Sequence, residues 1–177
     1  MGLEVYDTQR EQTVYWLQDT IVLDFMWSPQ GSHLGVVVEQ GSCTELWFVD
    51  RFGYPIRKLK PKEQWGRIEA ISWSPNGQML ALQFSNGQQD QIRVTYFQTE
   101  VYLPVSGQSG GKEPVWLEDG LYFTRGDVWY STQAPTVRPV LVSNPVPVVL
   151  QRQRILSPTV IREGDTIRLT RPSLALP

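Results

Sequence analysis

A single cysteine, Cys43, excludes an internal disulfide and fits a reducing compartment. With only one histidine, His33, beside it, the chain offers no His/Cys cluster from which a zinc site could be built. Cys43 also has no adjacent Lys or Arg to lower its thiol pKa, so it reads as an ordinary turn residue. Apolar runs of 18 residues are absent, which argues against a transmembrane helix and direct membrane insertion. The opening Met-Gly-Leu-Glu-Val-Tyr-Asp has no basic stretch followed by an apolar one, so no secretory signal is expected. Tyr6 stands where a myristoylation motif needs Ser or Thr. Charge of one sign is lacking too. The net charge is −2 with acids and bases intermixed, which speaks against a nucleic-acid binder. Only the tail leans basic (Arg152, Arg154, Arg162, Arg168, Arg171), and Glu163 and Asp165 interrupt it. Nowhere does an apolar period of 3.6 last for ten residues. An all-β, cytoplasmic chain is the expectation.

What the chain has instead is aromatic residues, including seven Trp, and a repeat. Trp73-Ser74-Pro75-Asn76-Gly77 follows Trp27-Ser28-Pro29-Gln30-Gly31 by 46 residues, and a degenerate copy, Trp116-Leu117-Glu118-Asp119-Gly120, follows after 43 more. Apolar runs flank each copy. Proline presets φ near −65° and glycine supplies φ > 0, so each copy reads as a hairpin turn between two strands. The spacing divides the chain into a half unit at 3–18, full units at 21–60, 68–104 and 114–143, and terminal strands over 145–177 that can complete the first half unit. A single domain spanning 1–177 is expected.

The residues then point to a family. Phe25-Met26-Trp27-Ser28-Pro29-Gln30-Gly31-Ser32-His33-Leu34, followed by Leu46-Trp47-Phe48-Val49-Asp50-Arg51-Phe52-Gly53, resembles the TolB-type, WD40-like propeller repeat. Residues 71–97 match up to Phe97 without the trailing Asp, and 114–131 match as Trp116, Asp119-Gly120 and Val128-Trp129-Tyr130. The hairpin 3–17 is similar to the last two strands of such a repeat, with Asp7 in the trailing place. The resemblance implies an all-β propeller of about four blades, each a four-stranded antiparallel sheet, either closed by the two termini, open, or completed by a partner.

The repeat residues Trp27, Ser28, Pro29, Gly31, Trp73, Ser74, Pro75, Gly77, Trp116 and Gly120 read as packing and turn positions, because aromatic recurrence per blade is a structural cue. Gly107-Gln108-Ser109-Gly110-Gly111 resembles a serine-protease nucleophile loop, but the lone His33 sits in a turn with no acid to orient it, so a Gly/Ser linker is the reading. The Pro-rich run 135–147 reads as an outer-edge strand and connector, since proline is confined to edges. Trp65 and Arg67, in the charged loop 60–67, are residue types enriched at binding hot spots. With Gln89 in the loop 85–91 and Arg125 in the loop 124–127, they are the candidate partner contacts, and the loop 105–113 joins them on one rim. A loop Trp more commonly folds back onto the sheet; read instead as an exposed hot spot, Trp65 predicts that Trp65→Ala weakens partner binding by at least about 1–2 kcal/mol without changing melting.

No catalytic, metal or phosphate-cradling set stands out, so no cofactor is expected. The leading function is a non-enzymatic scaffold or accessory subunit that binds a protein partner through rim loops, since resemblance to TolB-type propellers implies protein partners. Two alternatives remain open: the propeller part of a prolyl-oligopeptidase-type serine hydrolase, although no Gly-x-Ser-x-Gly elbow is present, and a sugar-binding propeller.

Overall fold

In the computed structural model each Ser-Pro turn closes through its own serine. Ser28 donates its N–H to the His33 carbonyl at 2.7 Å while its hydroxyl accepts the His33 N–H at 3.1 Å. Ser74 repeats both bonds with Met79, at 2.9 Å each. Gly31 and Gly77 then take the positive φ that closes the turn, each donating back to the serine carbonyl. The third copy is shorter. Leu117 pairs directly with Gly120, and the Tyr122 hydroxyl donates to the Asp119 carboxylate at 2.7 Å.

The structure describes residues 2–107, 110–133, 139–142, 159–163 and 166–170. They form four four-stranded sheets and one 3-10 turn, Glu63–Trp65. The first full sheet holds β3 (Val22–Trp27), β4 (His33–Gln40), β5 (Cys43–Asp50) and β6 (Pro55–Leu59) in chain order. The second holds β7 (Arg67–Trp73), β8 (Met79–Ser85), β9 (Asp90–Tyr96) and β10 (Tyr102–Pro104). The third holds β11 (Lys112–Leu117), β12 (Gly120–Arg125), β13 (Val128–Thr132) and β14 (Val140–Leu141). All pairs within these three are antiparallel. The fourth sheet is composite. β1 (Gly2–Asp7) and β2 (Gln12–Leu17) join β15 (Thr159–Glu163) and β16 (Thr166–Thr170), and the seam between β1 and β16 is parallel.

The core lies between sheets. Leu3, Val5 and Leu17 of the composite sheet pack against Leu34, Val36 and Val38 of the next. Leu46 and Phe48 meet Ile68, Ile71 and Trp73 one sheet on, and Ala81, Ile92 and Val94 meet Trp116, Leu121 and Phe123 after that. Burial of several such side chains at each interface, worth about 1.5–3 kcal/mol apiece, is what holds the sheets side by side. Among the described residues no such cluster joins the sheet of β11–β14 to the composite one, and the arc of sheets is open.

Polar links reinforce the two interfaces that flank the second sheet. β7 and β11 each break register near their start, between Ile68 and Ala70 and between Lys112 and Val115. Side chains of the preceding sheet take up N–H groups there. Thr44 Oγ1 accepts from Ile68 N at 2.6 Å and Gln83 Oε1 from Glu113 N at 2.9 Å. Asp24 accepts from Ile71 N at 2.9 Å and Ser72 Oγ from Trp116 N at 3.1 Å. Thr44 is buried, so Thr44→Val leaves the Ile68 N–H without an acceptor. A loss of about 1–3 kcal/mol is expected, read as a lower urea midpoint at unchanged slope.

Candidate functional site

Strand direction alternates along each antiparallel sheet, so the β4–β5, β6–β7, β8–β9, β10–β11 and β12–β13 connections share one rim, and the Ser-Pro turns lie on the other. All four loops expected to meet a partner are therefore on the same rim.

β6 ends at the buried Leu59, and the β6–β7 connection begins as the exposed Lys60 followed by Pro61-Lys62. It then turns back, and Gly66 reverses it at φ 82° and ψ −149°. That reversal folds Trp65 inward. Its ring is only 8% exposed, with ring centroids 5.5 Å from Phe84 and 5.0 Å from Tyr102, both edge-on. The expectation of an exposed Trp65 is thus corrected: an indole at this position gains more from an aromatic socket than from water.

What covers Trp65 is Arg93. Alternation along β9 sends Ile92 and Val94 into the core shared with β11–β13 and turns Gln91 and Arg93 to the opposite face. The Arg93 guanidinium lies 4.1 Å from the Trp65 ring centroid, a cation–π contact, and Nη2 donates to Gln91 Oε1 at 3.1 Å. Its Nε is buried with no acceptor, and among the described residues no carboxylate forms an ion pair with it. Burial holds its pKa below the usual arginine range. Beside it lies a depression of about 210 Å³ lined by Gln89, Gln91, Arg93, Pro104 and Ser106, among others.

Arg125 reaches the same place from the third sheet. It donates through Nη2 to the Ser106 carbonyl at 2.9 Å and through Nε to the Gly110 carbonyl at 3.1 Å, and stacks 4.4 Å over Tyr130. Of the expected contacts Gln89 lines the depression, while Trp65 lies under Arg93 and Arg125 holds the carbonyl of the lining residue Ser106. Arg67 stands apart, paired with Glu39 at 2.7 Å. Arg93 escaped sequence reasoning. The signal for it was a charged residue between two core-facing apolar ones in β9, which periodicity assigns to the polar face without saying what that face meets.

Tyr102, under the same aromatic group, has its hydroxyl buried without a partner. Burial first, then the Glu100 charge, push its pKa up to about 12, against a smaller opposing effect of Arg57. The folded state therefore holds this proton more tightly than the unfolded chain. Its contribution is present in full below the ordinary tyrosine value of 10 and is lost as pH rises toward about 12. Tyr102→Phe is expected to flatten that alkaline fall in stability, measured by denaturant midpoints across the range.

The remaining candidates are accounted for locally. His33 Nδ1 lies 2.8 Å from Ser32 Oγ and its ring packs on Phe97 at 4.8 Å. Half-buried Cys43 lies 3.8 Å from Ser42 Oγ. Ser109, and the Pro-rich run except 139–142, lie outside the described residues. Among the repeat tryptophans, Trp73 and Trp116 are buried between sheets, and the Trp73 indole donates to the Met26 carbonyl one sheet back at 3.2 Å. Among the described residues no group of three or more His, Cys, Asp or Glu could hold a metal, and no helix is long and apolar enough to cross a membrane.

Neither a family model nor a curated protein sequence matches the chain. Solved structures do. A structure from Agrobacterium tumefaciens assigned to TolB superposes with a TM-score of 0.59 over 76% of this chain, at 15% identity. KlAtg21, solved in complex with the coiled coil of AgAtg16, gives 0.56 over 78% at 15% identity. The fold is that of a β-propeller. The isopeptidase AtxE2 also superposes on this propeller, with a TM-score of 0.50 over 76% at 14% identity. The chain spans 50%, 50% and 31% of those three structures, in the order given.

Proposed function

We propose that this propeller is a non-enzymatic scaffold or accessory subunit that binds a protein partner through the rim bearing the 60–67, 85–91, 105–113 and 124–127 connections. The observation that carries the reading is an open depression on that rim lined by Gln89 and Arg93, with Arg93 over the Trp65 ring and Arg125 bonded to the carbonyl of the lining residue Ser106. The likeness to KlAtg21, solved with a coiled-coil partner, supports it by analogy of fold. A reducing, cytoplasmic setting goes with it, on the strength of the single cysteine.

A second reading makes the chain the propeller part of a serine hydrolase, and the likeness to an isopeptidase is what favours it. Native mass in a gentle extract, with co-migrating species identified by mass spectrometry, separates the two. A stoichiometric companion well above 20.3 kDa in total supports the scaffold. Recovery of the chain as part of a longer polypeptide bearing a hydrolase segment supports the second reading and removes the first.

A further inference from the structure

We infer that the depression between the β8–β9 turn and the β10–β11 connection is a docking pocket for a carboxylate carried by a polypeptide, an Asp or Glu side chain of the partner, with Arg93 as its anchor. The inference rests on the scaffold reading and names the chemistry that the partner must present.

Four observations converge on it. Arg93 is the cation at the wall of the cavity and has no ion-pair partner among the described residues, whereas four other basic residues there do: Arg10, Arg57, Arg67 and Lys112. A guanidinium 4.1 Å over an indole is held in place before any ligand arrives, so less rotamer freedom remains to be lost on binding. The rest of the lining carries no charge, with the amides of Gln89 and Gln91 beside Ile92, Pro104, Ser106 and Gly107. The one carboxylate of the adjoining turn, Asp90, is bridged to Lys112 at 3.1 Å.

The surroundings extend the same field. Lys60 and Lys62 on the neighbouring connection form no ion pair among the described residues, although Glu63 follows Lys62 directly. Lys62 Nζ lies 5.7 Å from the Trp65 ring centroid, on the indole that carries Arg93. Arg125 holds the Ser106 wall by its carbonyl, adding a second guanidinium close by. An acidic segment crossing this rim would meet the lysines at its edge and place one carboxylate on Arg93. A charge-assisted bond to a partly desolvated arginine is the strong kind, and the lysines would steer its approach.

The test uses the full chain and an acetylated, amidated tetraglutamate, with the tetraglutamine analogue and inorganic phosphate as separate arms, by titration calorimetry. Tetraglutamate is expected to bind and tetraglutamine not to. Arg93→Gln is expected to weaken tetraglutamate at least about tenfold, the loss of one charge-assisted bond. Gln89→Glu, which puts a carboxylate of the chain's own beside Arg93 and leaves the Trp65 stack in place, should weaken it comparably. It decides the matter alone should Arg93→Gln fail to fold.

Unchanged affinity in Gln89→Glu, or equal binding of both peptides, overturns the pocket. Phosphate that binds more tightly than tetraglutamate, and displaces it, overturns the polypeptide source. The scaffold reading fails separately. A native companion recovered equally by wild type and Arg93→Gln keeps the scaffold and removes the anchor, while Arg93-dependent peptide binding with no companion keeps the pocket and removes the scaffold.

Discussion

Trp65→Ala is expected to lower the unfolding free energy by about 3–5 kcal/mol, the usual cost of removing a buried aromatic ring and leaving its socket empty. For a chain of this length that is a fall in melting temperature of about 6–20 °C. The ring fills the space between Phe84 and Tyr102 and carries the Arg93 guanidinium on its outer face. Its loss therefore empties a core position and strips a partly buried cation of its platform. Loss of acidic-peptide binding should accompany the fall, because Arg93 without the indole regains the rotamer freedom that the stack removed. Trp65→Phe separates the effects: it keeps an aromatic face under Arg93 and should recover most of the binding at a smaller loss of stability. A melting temperature unchanged in Trp65→Ala would mean that the ring is not folded in as described, and would return it to the exposed role that its loop position alone implies.

The contrast between Trp65 and the repeat tryptophans marks what a sequence can carry. Trp27 and Trp73 were legible because the turn that follows them is local. A serine that bonds its own hairpin, a proline and a glycine within five residues need no distant partner, and two copies in register give the blade. Alternation in β9 likewise told which residues face the core. The fate of Trp65 depends instead on a backbone reversal at Gly66 and on a socket made by Phe84 and Tyr102, 19 and 37 residues further on. No window of sequence contains that information. Arg93 was hidden for the same reason, since its role comes from the indole it lands on. The side-chain acceptors Thr44, Asp24, Ser72 and Gln83 were also invisible, because each serves a neighbouring sheet. The parallel seam between β1 and β16 pairs residues more than 160 positions apart, which no turn chemistry specifies.

Gly66→Ala is the second large effect, and it isolates the reversal that builds the site. At φ 82° and ψ −149° the backbone lies in a region that is essentially reserved for glycine, which alone costs any other residue about 1–3 kcal/mol. A Cβ at Gly66 would also overlap the Ser85 carbonyl oxygen, a backbone atom that cannot swing aside as a side chain can. Strain and overlap together should cost at least about 3 kcal/mol. Gly87, in the adjoining β8–β9 turn, supplies the control. Its φ is also 82°, yet a Cβ there meets nothing within 4 Å, so Gly87→Ala should cost only the left-handed backbone penalty of about 1–2 kcal/mol. The two variants also part on function. In Gly66→Ala the connection must move off Ser85, which drags Trp65 out of its socket and unseats Arg93, so tetraglutamate binding should fall even under conditions where the variant remains folded. In Gly87→Ala the stack is untouched and affinity should stay within about twofold, a difference below 0.5 kcal/mol. Equal stability losses in the two variants would show that φ alone governs both positions, and that the close approach of Gly66 to Ser85 does not latch the 60–67 connection to the second sheet.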